Sequence, residues 1–294
     1  ATHKGSVWSF TTEGAVGNPN PSNGAVDVKP TLILTWNSGV LAASHEVYFG
    51  TDADAVKNAA KTSPEYKGTR ALGDESYDPG KLELNTTHYW RIDEVNNANP
   101  DSPWIGNIWS FSTGDFLVVD DFESYDDIDP PDPASNRIFD KWIDGFGTTT
   151  NGALVGNDLP PYAEQTIVHG GVQSMIYRYD NNLKTSEATL TLVYPRDWTE
   201  EGVTKLILWF RGSSANSAER MFVALNGSAV VYHDDPAVTQ TTGWNEWIID
   251  LQAFADQGVN LANVNTITIG FGTKNSPVAG GAGQMYFDDI RLSR

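Results

Sequence analysis

Apolar and polar positions alternate with a period of two along most of the chain. In KLILWFR (205–211), Leu206, Leu208 and Phe210 share one parity while Ile207, Trp209 and Arg211 share the other, the spacing of a β-strand with two unlike faces. Comparable runs recur at TLILTW (31–36), HEVYFG (45–50), HYWRIDEV (88–95), MFVALNG (221–227), WNEWIIDL (244–251), TITIGFG (266–272) and QMYFDDIRL (284–292). Turn-forming stretches such as NPNPSNG and PVAGGAG separate them. Many short strands punctuated by Gly, Pro and Asn predict an all-β chain built of sandwiches or barrels. Only ADAVKNAAK (53–61) has helical character, enough for one or two turns.

The strand-like octapeptide GSVWSFTT (5–12) returns as GNIWSFST (106–113), which reads as the last strand of a module that occurs twice. A shift in composition near 114–117, from that strand into the acidic LVVDDFESYDDIDPPDP, marks a boundary. Single cores rarely grow past roughly 250 residues, so 294 residues predict two domains, 14–116 and 117–294. Residues 1–13 are then expected to be the terminal strand of a truncated preceding module. The start at Ala1 rather than Met is in keeping with a piece excised from a longer protein with covalently linked neighbours.

Charge narrows the partners. With 38 acidic against 19 basic residues, the surface repels phosphate backbones, so nucleic acid and anionic membranes are not expected to bind. No run of 18 apolar residues occurs, and membrane insertion is not expected. The absence of Cys excludes disulfides, thiolate metal sites and a cysteine nucleophile, and leaves the compartment open. Abundant carboxylates are compatible either with simple solvation or with Ca²⁺, which takes hard oxygen ligands.

In the first domain, PTLILTW with Trp36, HEVYFGTD and LELNTTHYWRIDEV follow one another in an order that resembles bacterial fibronectin type III-like domains. The resemblance implies an immunoglobulin-like sandwich acting as a spacer. Where that family carries a corner tyrosine this chain has His88, with Tyr89 one step off; an imidazole could donate the same hydrogen bond.

The second domain begins with DDFESYDD and ends with YFDDIRL. Period two puts Asp121 and Glu123 on one face, and Asp288 with Tyr286 and Ile290 on another. This pairing of ends, together with WIDGFGTTTNGALVGN (142–157), EQTIVHGGVQSMIYRYDN (164–181), LILWFRGS (206–213) and WNEWIIDLQAF (244–254), resembles bacterial carbohydrate-binding modules of the β-jelly-roll, galactose-binding-like group. By the resemblance the two ends share a structural calcium held by Glu123 and Asp288, with Asp121 and Asp289 as further ligands. It also implies a polysaccharide or oligosaccharide partner and a secreted or cell-surface bacterial setting.

Sugars are recognised by an aromatic plane against a pyranose ring and by planar hydrogen-bonding groups for the hydroxyls. Strand parity places Trp209 beside Arg211 on a face away from the core, and puts Arg178 opposite in parity to Tyr177 and Tyr179. The same parity turns Asn226, with Phe222 and Ala224, toward a ligand face. Trp142 and Tyr162, in loop-like segments, are rim candidates. Each has a plainer reading, as core aromatic or solvated ion pair, and His169 and His233 read as structural.

The expected function is a non-catalytic carbohydrate-binding module with a fibronectin-like spacer, targeting a larger extracellular protein to a polysaccharide. Jelly-roll glycoside hydrolases and polysaccharide lyases are the alternative, with Glu187, Glu246 and Asp250 as free acids. No ExDxxE pair, nucleophile elbow or His-rich metal cluster accompanies them. A tandem-sandwich adhesion or stalk fragment is a third reading.

Overall fold

The computed structural model describes residues 14–182 and 184–294; the terminal strand expected at 1–13 lies outside the described residues. Two compact units adjoin in sequence at Asp115 and Phe116, and each is a β-sandwich.

In the first unit the strands are β1 (Gly17–Asn20), β2 (Ala25–Val28), β3 (Leu34–Asn37), β4 (Ser44–Gly50), β5 (Tyr66–Ala71), β6 (Ser76–Tyr77), β7 (Thr87–Val95) and β8 (Trp109–Thr113). One sheet has the order β1-β3-β6 and the other β2-β8-β7-β4-β5. Alternation explains the closure: Leu34 and Trp36 from the first sheet meet Val47, Phe49, Trp90, Ile92, Trp109 and Phe111 from the second in one core. In the WSFST of β8, both rings are buried while the intervening serines stay half-exposed. The short helix α1 (Ala53–Asn58) starts where the Asp52 carboxylate accepts the N–H of Ala55 at 2.8 Å, an N-cap that satisfies an otherwise orphan donor.

Two buried histidines of this unit have opposite surroundings. His88 does not make the corner hydrogen bond: neither ring nitrogen has a partner, because the ring lies between Phe49 and Phe111 at centroid distances of 5.3 and 5.4 Å. Burial there pulls its pKa down. His45 is also buried, but Nδ1 lies 2.6 Å from a Glu94 oxygen and Nε2 lies 3.2 Å from a Glu75 oxygen. Burial lowers its pKa and the two carboxylates more than offset that, so the net direction is up.

The second unit contains β9 (Phe116–Asp120), β10 (Trp142–Ile143), β11 (Leu154–Val155), β12 (Met175–Asp180), β13 (Ser186–Thr191), β14 (Lys205–Arg211), β15 (Met221–Leu225), β16 (Ala229–Tyr232), β17 (Asn245–Asp250), β18 (Thr266–Phe271) and β19 (Ala282–Ser293). A five-stranded sheet runs β10-β13-β18-β15-β16; a six-stranded sheet runs β11-β12-β19-β14-β17, with β9 paired to β19. The chain crosses repeatedly from one sheet to the other, the wiring of a jelly roll, and its first and last strands are neighbours: Leu117 pairs with Leu292 and Asp120 with Ile290. Between the sheets, Tyr177 meets Phe271 and Phe287 edge-on and its hydroxyl donates to the carbonyl of Ile269 at 3.2 Å.

Candidate functional site

The solvent side of the six-stranded sheet is set by register. Leu154 pairs with Arg178, and Arg178 with Gln284; one step along β19, Tyr286 pairs with Arg211, and Trp209 lies between Asp288 and Glu246. In β14 the inward Leu206, Leu208 and Phe210 are buried and the outward Ile207, Trp209 and Arg211 half-buried. Arg178, Trp209 and Arg211 therefore share a face.

At the β11 edge of this face lies a groove of about 600 Å³, lined by Arg137, Phe139, Asp144, Phe146, Tyr162 and Arg178 among others. Phe139 and Tyr162 pack edge to face at 5.0 Å, and the Arg137 guanidinium lies over Phe139 at 4.9 Å. Local sequence explains why Phe146 is 85 % exposed. Asp144 accepts the N–H of Phe146 at 2.8 Å with one oxygen and that of Val155 at 2.7 Å with the other, folding a tight Asx turn. Gly145 is required at its apex, since a Cβ there would stand 2.2 Å from the carbonyl oxygen of Asn151. The next ring is driven into solvent. Singly exposed apolar residues are ordinary at protein surfaces; Phe146 differs in that its exposed ring lines the groove together with Phe139 and Tyr162.

Polar groups of the groove are held in fixed geometry. Arg178 donates to both oxygens of Asp158, at 2.7 and 3.2 Å, and to the carbonyl of Gly156 at 3.0 Å. Arg137 donates to Asp140 at 2.9 Å and to Asp129 at 2.8 Å. Paired guanidiniums of this kind contribute little to stability at a surface. They present oriented donors and acceptors beside three rings, the combination that reads hydroxyl groups.

Among the residues expected from sequence, the structure brings Arg178 and Tyr162 into the groove and leaves three others elsewhere or covered. Trp142 is not a rim residue: it is fully buried, and its indole N–H donates to Asp120 at 2.8 Å. Asn226 lies beyond the end of β15, in the opposite sheet, where its side-chain oxygen accepts the N–H of Asn265 at 2.7 Å and of Thr266 at 3.2 Å. It occupies a tight turn with Gly227, both at positive φ (51° and 71°). Trp209 faces outward, but the His169 ring stacks on it at 3.9 Å, so it is not an open platform. Phe146, Phe139 and Arg137 escaped sequence reasoning; the signal for Phe146 was a large apolar residue between two turn-forming glycines.

The terminal carboxylates converge on one loop. Glu123 accepts the N–H groups of Val172 and Gln173 at 2.9 and 3.0 Å. Asp288 accepts those of His169 and Gly170 at 2.8 and 3.2 Å, and Asp289 meets the His169 ring at 2.6 Å and the Arg291 guanidinium. Asp121 accepts the N–H of Glu123 at 3.4 Å. Among the described residues no three His, Asp or Glu side chains stand together as a metal cage; a cation here would have to use loop carbonyls as well, which Ca²⁺ accepts. Asp288 is fully buried, and burial, with the neighbouring Asp289 charge, pushes its carboxyl up to about 6 against its backbone donors. The donor set is one of hard carboxylate and carbonyl oxygens, the kind Ca²⁺ takes, although the His169 ring and the Arg291 guanidinium already stand against Asp289.

The acids weighed for hydrolysis do not form a pair across one cleft. Glu187 is on the five-stranded sheet, where it pairs with Lys274, while Glu246 and Asp250 are exposed on β17 of the six-stranded sheet.

No family model matches the chain, and no curated protein matches it. Solved structures resemble it loosely. The family 11 carbohydrate-binding module of a cellulosomal cellulase from Clostridium thermocellum is 15 % identical over 52 % of this chain and 93 % of its own, with a TM-score of 0.34. The family 30 module of another cellulosomal cellulase from Clostridium thermocellum is 14 % identical over 51 % of this chain and 96 % of its own, at 0.36. A β-1,2-glucanase from Parabacteroides distasonis is 16 % identical over 49 % of this chain and 24 % of its own, at 0.33. Overlaps this loose do not say what the chain does; its own residues have to.

Proposed function

We infer that the second unit is a carbohydrate-binding module without catalytic activity, which docks a polysaccharide in the groove at the β11 edge of the six-stranded sheet. The first unit is then a fibronectin-like spacer, and the whole belongs to a multimodular protein of the bacterial cell surface or exterior. The observation that carries this reading is the groove itself: Phe146 rigidly exposed, with Tyr162 and Phe139 beside guanidiniums and carboxylates whose geometry is already fixed. Rings supply the plane for a pyranose and the paired groups its hydroxyl contacts, at little ordering cost on binding.

Affinity electrophoresis and calorimetry against a panel of soluble polysaccharides, including mixed-linked β-glucan, galactan, xylan and pectin, test it. At least one polymer is expected to retard the protein without releasing reducing ends or unsaturated products. Phe146→Ala and Tyr162→Ala are each expected to weaken binding about tenfold, ~1.4 kcal/mol, and Phe146→Ala to leave the melting temperature unchanged. Retention on none of the polymers, or turnover of any, contradicts the reading.

A structural calcium belongs to the same proposal. Glu123 and Asp288, which both reach the loop over residues 169–173, would hold it, and its role there would be to tie the two ends of the unit to that loop. Chelation is then expected to lower the melting temperature of the second unit by several degrees, with recovery on adding Ca²⁺ and no such response in Glu123→Gln. A melting temperature indifferent to chelator removes calcium from the account and leaves the groove intact.

A further inference from the structure

Arg211 stands apart from the other arginines of this face. Arg137, Arg178 and Arg291 each have a carboxylate partner. Among the described residues Arg211 has no ion pair and no hydrogen bond, although the chain holds twice as many acidic as basic residues. Its side chain is half-buried on the outer sheet face rather than extended into water. Its neighbours are aromatic: Tyr286 pairs with it on β19, and Trp244, just before β17, continues the register in which Phe210 faces Asn245. Gln284 joins this patch to the groove, because it pairs with Arg178 and donates to the Tyr286 hydroxyl at 2.6 Å. That hydroxyl keeps its own proton to donate. From Arg178 to Arg211 is two strand spacings across and two residues along, about 12 Å, so a ligand touching both spans more than one sugar ring.

A guanidinium is a rigid fork of donors that matches a carboxylate or sulfate oxygen pair, and its attraction strengthens when partly withdrawn from water. In the groove the guanidiniums are neutralised by aspartates and suit hydroxyls; at Arg211 the charge is left open. Resting on the carbohydrate-binding reading, we propose that the ligand is an anion-bearing glycan, with a carboxylate or sulfate substituent taken by Arg211 between Tyr286 and Trp244 while a neighbouring ring occupies the groove. With a net charge of −19 the protein offers an anionic polymer no long-range attraction, so the selectivity is local and short-ranged.

The test is calorimetric titration of the whole chain with three size-matched oligosaccharide sets: polyuronates, sulfated galactans and neutral galactans. The expected result is binding at least tenfold tighter for one anionic set than for the neutral set. The set that wins identifies carboxylate or sulfate as the group recognised. Arg211→Gln is expected to abolish that ratio while retaining neutral binding, and Arg211→Lys to restore part of it, with melting temperatures confirming that both variants fold. Equal affinity for neutral and anionic sets, or an Arg211→Gln loss identical for all sets, overturns the proposal and leaves the carbohydrate-binding reading standing. No binding by any set overturns the proposal, and the carbohydrate-binding reading falls with it only if the wider polysaccharide panel is not retained either.

Discussion

Each unit carries a groove of similar size on a sheet face, and the two are built on opposite principles. In the first unit the groove is about 520 Å³ and is floored by Glu46, Tyr48, Arg91 and Asp93. Every one of these is committed internally. Arg91 donates to the carbonyl oxygens of Val56, Lys57 and Ala59 and to Asp93, and its guanidinium covers the Tyr48 ring at 4.2 Å. Glu46, directly across the ladder from Asp93, takes Lys61 and the Tyr66 hydroxyl. The result is a fastener that locks α1 onto the sheet. In the second unit the groove leaves Phe146 in water, and on the same sheet face Arg211 goes unpaired. Aromatic and charged residues lining a concavity therefore do not mark a binding site by their presence; charged groups are paired in both grooves, and what separates the two is that the first uses its pairs to hold α1 to the sheet while the second keeps the Phe146 ring exposed beside them.

The contrast can be broken from either side. The largest effect is expected in the first unit: Arg91→Leu strands Asp93, buried beside Glu46, and should destabilise that unit by about 3–5 kcal/mol, measured by denaturant unfolding, with glycan affinity of the folded protein unchanged. An intact stability would show that the network does not fasten α1. Next is Asn226→Ala, which removes the acceptor for two backbone N–H groups and a residue suited to positive φ. It should cost about 1–2 kcal/mol of second-unit stability and leave glycan binding untouched, whereas lost binding would return Asn226 to the site.

The smallest effect is a pH dependence of the first unit. His45 has a raised pKa, so the stability from its carboxylate contacts is complete below 6.5 and is lost as pH rises through the folded value. His88 has a lowered pKa, so its contribution is complete above 6.5 and is lost as pH falls toward the folded value. Unfolding followed by tryptophan fluorescence should show the unit most stable near pH 6.5. His88→Phe is expected to flatten the acid side and His45→Gln the alkaline side; the opposite pattern would reverse the two assignments.

Much of the fold was legible because period-two alternation is a local signal. KLILWFR gave the inward and outward sets of β14, and WSFST those of β8, without knowledge of their neighbours. The approach of the two ends of the second unit was visible in DDFESYDD and YFDDIRL. What could not be read is which sheet an outward residue belongs to: Asn226 and Trp209 have the same kind of parity and lie on opposite sheets. Nor does parity report what crosses over a face. The loop carrying His169 covers Trp209, and burial by such a loop depends on contacts more than a hundred residues apart, as between His169 and Asp289. Phe146 was missed for the converse reason, since its exposure is set by a turn rather than by a strand.

The most direct measurement is a heteronuclear NMR titration of the whole chain with the polysaccharide fragment that binds best. Resonances of Phe146, Tyr162 and Arg178, and then of Tyr286 and Arg211, should shift together with one dissociation constant, while Glu187, Tyr232 and Thr268 on the five-stranded sheet stay still. Shifts gathered on that opposite sheet, with the groove silent, would contradict the placement of the site.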